Sequence, residues 1–405
     1  MINIHTMEDD DELMTSFSQR HKILAAALAT VFIGSGNATV KAVIDVDESE
    51  SLTTFSQAYK EYVISIKSGK YSPDELVHVA KQTYQLGKTK FGSRHQSTFM
   101  LQQNLANAYL EAGEYALSAA NYESVINYHE ETQGDESQAY YFGLLDIINL
   151  IYSAYKDQRL SARDLGMSKF GGNRAIAKLF DVTEELISNM PENSLMFRGH
   201  TVKTAVINNW AEKDQRLLKI AKKFNLDAKK NLGQDSVVYI ESLTYVGKVY
   251  FGIQKYKDAR IVFEQVLMSV KAQNAGMHQF GIVAHAHLVS IYARKKETKK
   301  AIFHSQAVGE SRPWAFKQKA LYQVPVKFPP PSIATANINS GSVTITIDIS
   351  KNGQPTNMRI KSSTHVDFDK PAIDSLKQWY FPPKWVTGKF TVTTDFDVTI
   401  NFIRE

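Results

Sequence analysis

Asn104-Leu105-Ala106-Asn107-Ala108-Tyr109, then Gly113-Glu114-Tyr115, then Ser118, Tyr122 and Val125, is the stretch whose reading decides the fold. A large residue, a small neighbour and an aromatic one turn later line one face of a first helix. A turn follows, and a small residue with a large one four positions on lines the face of a second. The same order returns in Val246-Gly247, Tyr250, Tyr256, Ala259, Phe263 and Val266, each 141 residues after its counterpart. A third window supplies Leu288, Val289, Tyr292, Ala301 and Val308. The small positions let two helix backbones approach, and the large ones fill the space between them.

Working outward, Phe91-Gly92 and Gln133-Gly134 precede successive units at a spacing of about 42 residues, and Leu232-Gly233 and Ala275-Gly276 repeat that role. The pattern resembles the tetratricopeptide repeat, whose period is about 34 residues, in the longer form found in kinesin light chains. A helical array over 50–310 is expected, with units near 98–130, 238–270 and 281–310 clear and those near 55–85, 140–170 and 175–230 degenerate. Ile148, Tyr152 and Ser161 offer one alignment for the degenerate middle. Ser72-Pro73-Asp74-Glu75 reads as a helix start, with Ser72 as N-cap and Pro73 at the first helical position. Repeat arrays are binding surfaces. Asn104 and Asn107, on the first helix of the best unit, are candidates to hold a peptide backbone or are polar residues of a solvated face.

Proline divides the chain. Only Pro73 and Pro191 lie before residue 312, and the rest of the 11 prolines follow it. Zero cysteine excludes disulfides, thiolate metal sites and thiol nucleophiles. A net charge of +5 with no RNP-type aromatic motif or concentrated basic face gives no sign of nucleic-acid binding.

The N-terminus reads as a targeting segment. Arg20-His21-Lys22 precedes the apolar run Ile23–Ile33, and the small residues Gly34-Ser35-Gly36-Asn37-Ala38 follow. This is the layout of a secretory signal over 1–38, cut after Ala38 or, alternatively, after Val40-Lys41-Ala42. The run is shorter than the about 20 residues a membrane span needs. The acidic stretch Glu8–Glu12 upstream points to Met14 as an alternative start. With no cysteine after the apolar run, a cysteine-linked lipid anchor is excluded.

After the helical body, Val324-Pro325-Val326-Lys327-Phe328-Pro329-Pro330-Pro331 reads as a stiff linker within 311–331. Val343, Ile345, Ile347 and Ile349 then alternate with Thr344, Thr346, Asp348 and Ser350, a half-buried strand. Lys351-Asn352-Gly353-Gln354 is a hairpin signal, and Thr356–Ser362 the return strand. A helix is expected from the Asp367–Pro371 stretch to Trp379, with Ala372, Ile373, Leu376 and Trp379 as its stripe and Phe381-Pro382-Pro383 as its stop. Phe390–Phe396 and Val398–Ile403 are the remaining expected strands.

In order, Gly341-Ser342-Val343, Asn352-Gly353, Ser362-Ser363, Phe368-Asp369 and Trp379-Tyr380-Phe381-Pro382-Pro383 resemble the C-terminal domain of TonB-type energy transducers. The resemblance covers about 80 of the 405 residues. It implies a domain over 332–405 that binds protein in the periplasm of a Gram-negative bacterium by adding a partner strand to an exposed edge. On that analogy Val398, Ile400 and Phe402 on the last strand, and Phe328 and Pro329 before the domain, are candidate partner-binding residues. The chain departs from transducers in carrying a short signal and a helical array in place of an anchor and a long proline-rich spacer.

Reactive constellations are missing from the sequence. His285-Ala286-His287 places two imidazoles about 200° apart on a helix, unable to share a metal. Lys169-Phe170-Gly171-Gly172-Asn173 follows no strand and reads as a loop. Arg294–Lys300 is basic and reads as a solvated turn. The fold class expected is mostly α: a tetratricopeptide-like helical repeat array followed by a small α+β domain, an antiparallel sheet with one helix. The function expected is a periplasmic, non-enzymatic protein-interaction adaptor of TonB-dependent envelope transport, with envelope proteins as partners and no cofactor, metal or nucleic acid. The alternatives are a transducer anchored by an uncleaved signal, and a peptidoglycan-binding envelope protein.

Overall fold

The computed structural model describes residues 54–208, 215–272, 279–311, 318–329 and 339–403. The expected signal lies outside them, as do Pro330, Pro331 and the Ala275-Gly276 junction. The described residues divide into two compact units, one ending at Asn208 and the other following it.

The first unit holds seven helices: α1 (Phe55–Ser68), α2 (Pro73–Phe91), α3 (Gln96–Glu111), α4 (Tyr115–Gln133), α5 (Gln138–Gln158), α6 (Arg174–Asn189) and α7 (Ser194–Ile207). Their ends follow local chemistry. Ser72 caps α2 reciprocally with Glu75, and Pro73 occupies the first turn, where a backbone N–H would have no helical partner. Gly134 closes α4 at a φ of 86°, a region unfavourable to residues with a Cβ. Three residues later Ser137 Oγ donates to the Gly134 carbonyl at 2.8 Å and accepts from Tyr140 N–H at 3.2 Å, which starts α5 at once. Gly233 and Ser236 repeat this clasp in the second unit, with Ser236 Oγ accepting from Tyr239 N–H at 3.1 Å.

The degenerate middle has a structural cause. After α5 the chain runs from Arg159 to Asn173 as a connection with one 3-10 turn, Ser168–Phe170, and tucks Met167 and Phe170 into the core. The second helix of that pair therefore starts at Arg174. Ser161, aligned from sequence with a second-helix position, instead sits in this connection, where its backbone N–H donates to Asp164 at 2.7 Å. Inserting chain between paired helices shifts the register that a fixed offset requires.

The second unit begins with α8 (Gln215–Leu232), α9 (Val237–Gly252), α10 (Tyr256–Ala272), α11 (Gln279–Arg294) and α12 (Thr298–Ser311). The small-over-large seam is explicit. A Cβ placed on Gly247 would lie 2.7 Å from the Phe263 ring. In the first unit Ser118 Oγ reaches the Ala106 carbonyl at 2.9 Å across the matching seam. The basic run 294–300 does form a turn, but it is partly engaged: the Arg294 guanidinium stands 5.0 Å from the Tyr256 ring and 5.6 Å from the Tyr322 ring.

The C-terminal part is a three-stranded antiparallel sheet, β1 (Ser340–Ile349), β2 (Pro355–Ser363) and β5 (Thr393–Ile403), in the order β2-β1-β5. A 3-10 turn (Val366–Phe368), α13 (Asp369–Leu376) and a separate hairpin of β3 (Lys384–Val386) and β4 (Lys389–Thr391) lie between β2 and β5. Val343, Ile345, Ile347 and Ile349 all face α13 in one core with Phe368, Ala372, Leu376, Trp379, Val398, Ile400 and Phe402. Two expectations change. The helix ends at Leu376, not Trp379, because Tyr380 pairs in antiparallel fashion with Tyr322 and Phe381 N–H bonds the Gly353 carbonyl at 2.8 Å. Trp379 remains in the core, its indole N–H donating to Ser375 Oγ at 3.0 Å. The final strand is continuous over 393–403, and Phe390 belongs to the small hairpin, packed on Trp385.

Residues 318–329, inside the stretch expected as a linker, run extended along this domain. Val324, Val326 and Phe328 pack on its core, and the Val324 carbonyl receives the Ser375 hydroxyl. The domain is also seated on α12. Ser305 Oγ on α12 donates to the Phe381 carbonyl at 2.7 Å, Ser290 Oγ on α11 donates to the Leu321 carbonyl of the lead-in at 2.8 Å, and Gln318 of the lead-in donates to the Pro382 carbonyl at 2.8 Å. Gly309 allows the closest approach, since a Cβ there would lie 2.3 Å from the Pro383 carbonyl oxygen.

Two outcomes follow. Gly247→Ala should destabilise the protein by about 1–3 kcal/mol although alanine is the better helix former, and Phe263→Leu should restore part of the loss, as read by urea unfolding. Gly309→Leu should leave helix content intact while amide protection at Leu321 and Phe381 falls about tenfold or more in hydrogen exchange.

Candidate functional site

The first helices of successive pairs in the unit ending at Asn208 carry a polar row. Gln103 on α3 donates to Asp146 on α5 at 2.7 Å, and Asn208, just past α7, donates to Asn149 on α5 at 3.1 Å. Asn104 lies beside Gln103, half-buried. Asn107 is only 9% exposed, and its side-chain carbonyl accepts the Tyr122 hydroxyl across the α3–α4 seam. The structure thus separates the two asparagines proposed from sequence. Asn107 ties a helix pair together, whereas Asn104 stays only half-buried beside Gln103. Sequence reasoning missed Gln103, Asp146, Asn149 and Asn208, because the bonds join residues 43 and 59 apart in different repeats. Asn208 Oδ1 is buried with no hydrogen-bond partner among the described residues.

Burial tunes the phenols near this row. The Tyr122 hydroxyl is pushed well above its ordinary range, first by desolvation and then by the Asp146 charge. It therefore stays a neutral donor to Asn107 across the physiological range.

In the C-terminal domain Val398, Ile400 and Phe402 point into the core, so their side chains are closed to a partner. Phe328 packs edge-on to Phe368 at 5.2 Å, and Pro329 is buried. What β5 leaves open is its backbone: among the described residues no strand pairs with it on the side away from β1. From Val398 to Ile403 its register with β1 is unbroken, and Ile403 is 71% exposed. The other edge, β2, shifts register twice against β1 and holds Asn357 at positive φ, whereas β5 confines its one register shift and its positive-φ residue, Asp395, to the part before Val398. A regular edge is a template for a further strand, and an irregular one is blunted. The solvent face of the sheet is closed by polar bonds, with Thr344 to Thr399, Thr346 to Asp397, and ion pairs from Arg359 to Asp395 and Lys361 to Asp397.

Among the described residues no group of three or more His, Asp or Glu is arranged to hold a metal ion, and no helix is long and apolar enough to cross a membrane.

Residues 326–403 match the family described as Gram-negative bacterial TonB protein C-terminal. No curated protein matches the chain. Two crystal structures described as kinesin light chain, nearly identical TPR-like repeats, from Podosopora anserina, one of them a point variant, align at 15% identity over 55% of this chain and 95% of theirs, with a TM-score of 0.40. The repeated unit of the array is defined by its own helix pairs and their small-residue seams. The chain is a tetratricopeptide-like helical array followed by a TonB-type C-terminal domain.

Proposed function

We propose that the protein is a periplasmic, non-enzymatic adaptor of TonB-dependent envelope transport, exported by the N-terminal signal. The array takes one protein segment along Asn104 and the polar row, and the C-terminal sheet takes another by strand addition at β5. The observation that carries this reading is the unpaired, regular Val398–Ile403 edge in a domain that matches the TonB C-terminal family. Val398, Ile400 and Phe402 serve that edge from behind, by fixing its register on the core, while the backbone makes the contact. Phe328 and Pro329 support the domain and do not touch the partner.

Crosslinked capture from envelope fractions with the full chain tests the reading. Envelope transport proteins are the expected partners. Recovery of glycan fragments without them would favour peptidoglycan binding, and an uncut N-terminus in the membrane fraction, read by mass, would favour an anchored transducer. Ile403→Lys together with Asn401→Lys charges the edge without entering the core, and should weaken sheet-dependent capture about tenfold with unfolding unchanged. Asn104→Ala should reduce capture by the array alone.

A further inference from the structure

His285 on α11 and His304 on α12 face each other across the last helix seam, Nδ1 to Nδ1 at 2.7 Å, and both are largely buried. A bond between two imidazole nitrogens needs one N–H and one lone pair, so the pair tolerates at most one extra proton. A second would set two cationic N–H groups against each other inside the seam. The surroundings offer no relief. Lys300 on α12 adds positive charge, and Tyr292 on α11, whose ring stacks on His304, gives its hydroxyl to Glu264 on α10. That carboxylate already holds Arg260 at 2.9 and 3.0 Å. Beside Lys300, Glu297 is paired with it. His287, the other imidazole of α11, stacks on Phe263 and feels Lys248 on α9. From the C-terminal side the seat on α12 is made by neutral groups, Ser305 to the Phe381 carbonyl and Gln306 to the Lys351 carbonyl, and on the lead-in Gln318 bonds the Pro382 carbonyl while Lys319 is exposed.

Ser305, which grips the C-terminal domain, is the residue after His304. We propose that the His285–His304 pair is an acid-sensitive latch, which holds α12 and the seated C-terminal domain in place while at most one proton is shared and loosens both when each ring is protonated.

The direction of the effect is fixed by burial. Desolvation holds His285 down to about 4, and desolvation, His285 and Lys300 together hold His304 down to about 3. An unfolded imidazole titrates near 6.5. Between those values the opened seam binds more protons than the closed one. Stability of the seam is therefore complete above about pH 6.5 and is lost as pH falls toward 4, by about tenfold in the opening equilibrium per pH unit for each proton taken up.

Hydrogen exchange on the full chain, expressed as protection factors at pH 7.5, 6.0 and 5.0, tests this. Protection of α12 amides and of Leu321 and Phe381 should fall about tenfold or more between pH 6.0 and 5.0, while α3 and α4 hold theirs. His304→Gln, which keeps a hydrogen-bonding group but leaves one titrating ring where there were two, should lower the slope of the response by about half. If the variant is poorly folded, His285→Asn supplies the same reading. An unaltered pH response in a folded variant, or a flat response in the natural chain, overturns the latch. So does His287→Phe lowering the slope as much as His304→Gln, since the effect would then belong to histidine burial in α11 at large.

Discussion

Everything in this protein rests on how closely two backbones can approach when one carries a small residue under the other's large one. Gly247 beneath Phe263 sets that distance in one helix pair, and in another the small residues Ala106 and Ser118 meet where the backbones come close. Only at that distance do the first helices of successive pairs come near enough for Gln103 to reach Asp146 and for Asn208 to reach Asn149. The polar row is thus a product of the seams, not an independent feature. The C-terminal domain uses the same device. A Cβ on Gly341 would lie 2.5 Å from the Phe368 ring, and one on Gly353 2.1 Å from the Phe381 carbonyl. Side chains then finish what proximity allows, through short polar bonds whose partners have already left water.

The repeat was legible because it recurs: Leu105, Ala106 and Tyr109 gain meaning from Val246, Gly247 and Tyr250. The sheet was legible for a different reason, since alternation from Val343 to Ile349 has only one half-buried solution. Less visible was anything that depends on a single long-range meeting. Neither Ser305 nor Gly309 carries a local signal, and their role comes from Phe381 and Pro383 arriving from more than seventy residues away. The helix after Phe368 was overextended for the same cause. Its stripe continues to Trp379, but the backbone at Tyr380 is claimed by Tyr322.

The candidate site divides along similar lines. Chemical type pointed to asparagine on α3, and only packing distinguishes Asn104 from Asn107, since Tyr122 takes the latter. On β5 the apolar alternation identified the strand and its buried face. The exposed asset is the strand's backbone, which side-chain identity does not encode. The lead-in through Phe328 reads as a spacer in composition, because proline-rich chain is stiff whether it hangs free or lies in a groove. Val324, Val326 and Phe328 alternate inward, the same period-two signal that marked β1.

The seat on α12 also determines how a mechanical load would travel. A strand added along β5 pulls on β1 through a ladder of bonds lying across the direction of pull, so that many share the strain at once. From β1 the load passes into the turn at Lys351 and Gly353 and, beside it, into Phe381 and Pro382, all of which bear on α12 or the segment joined to it. Tension at the sheet edge is therefore delivered sideways into the last helix pair at several points, instead of along one stretch of covalent chain. The array would feel a partner's pull as a torque on its final seam.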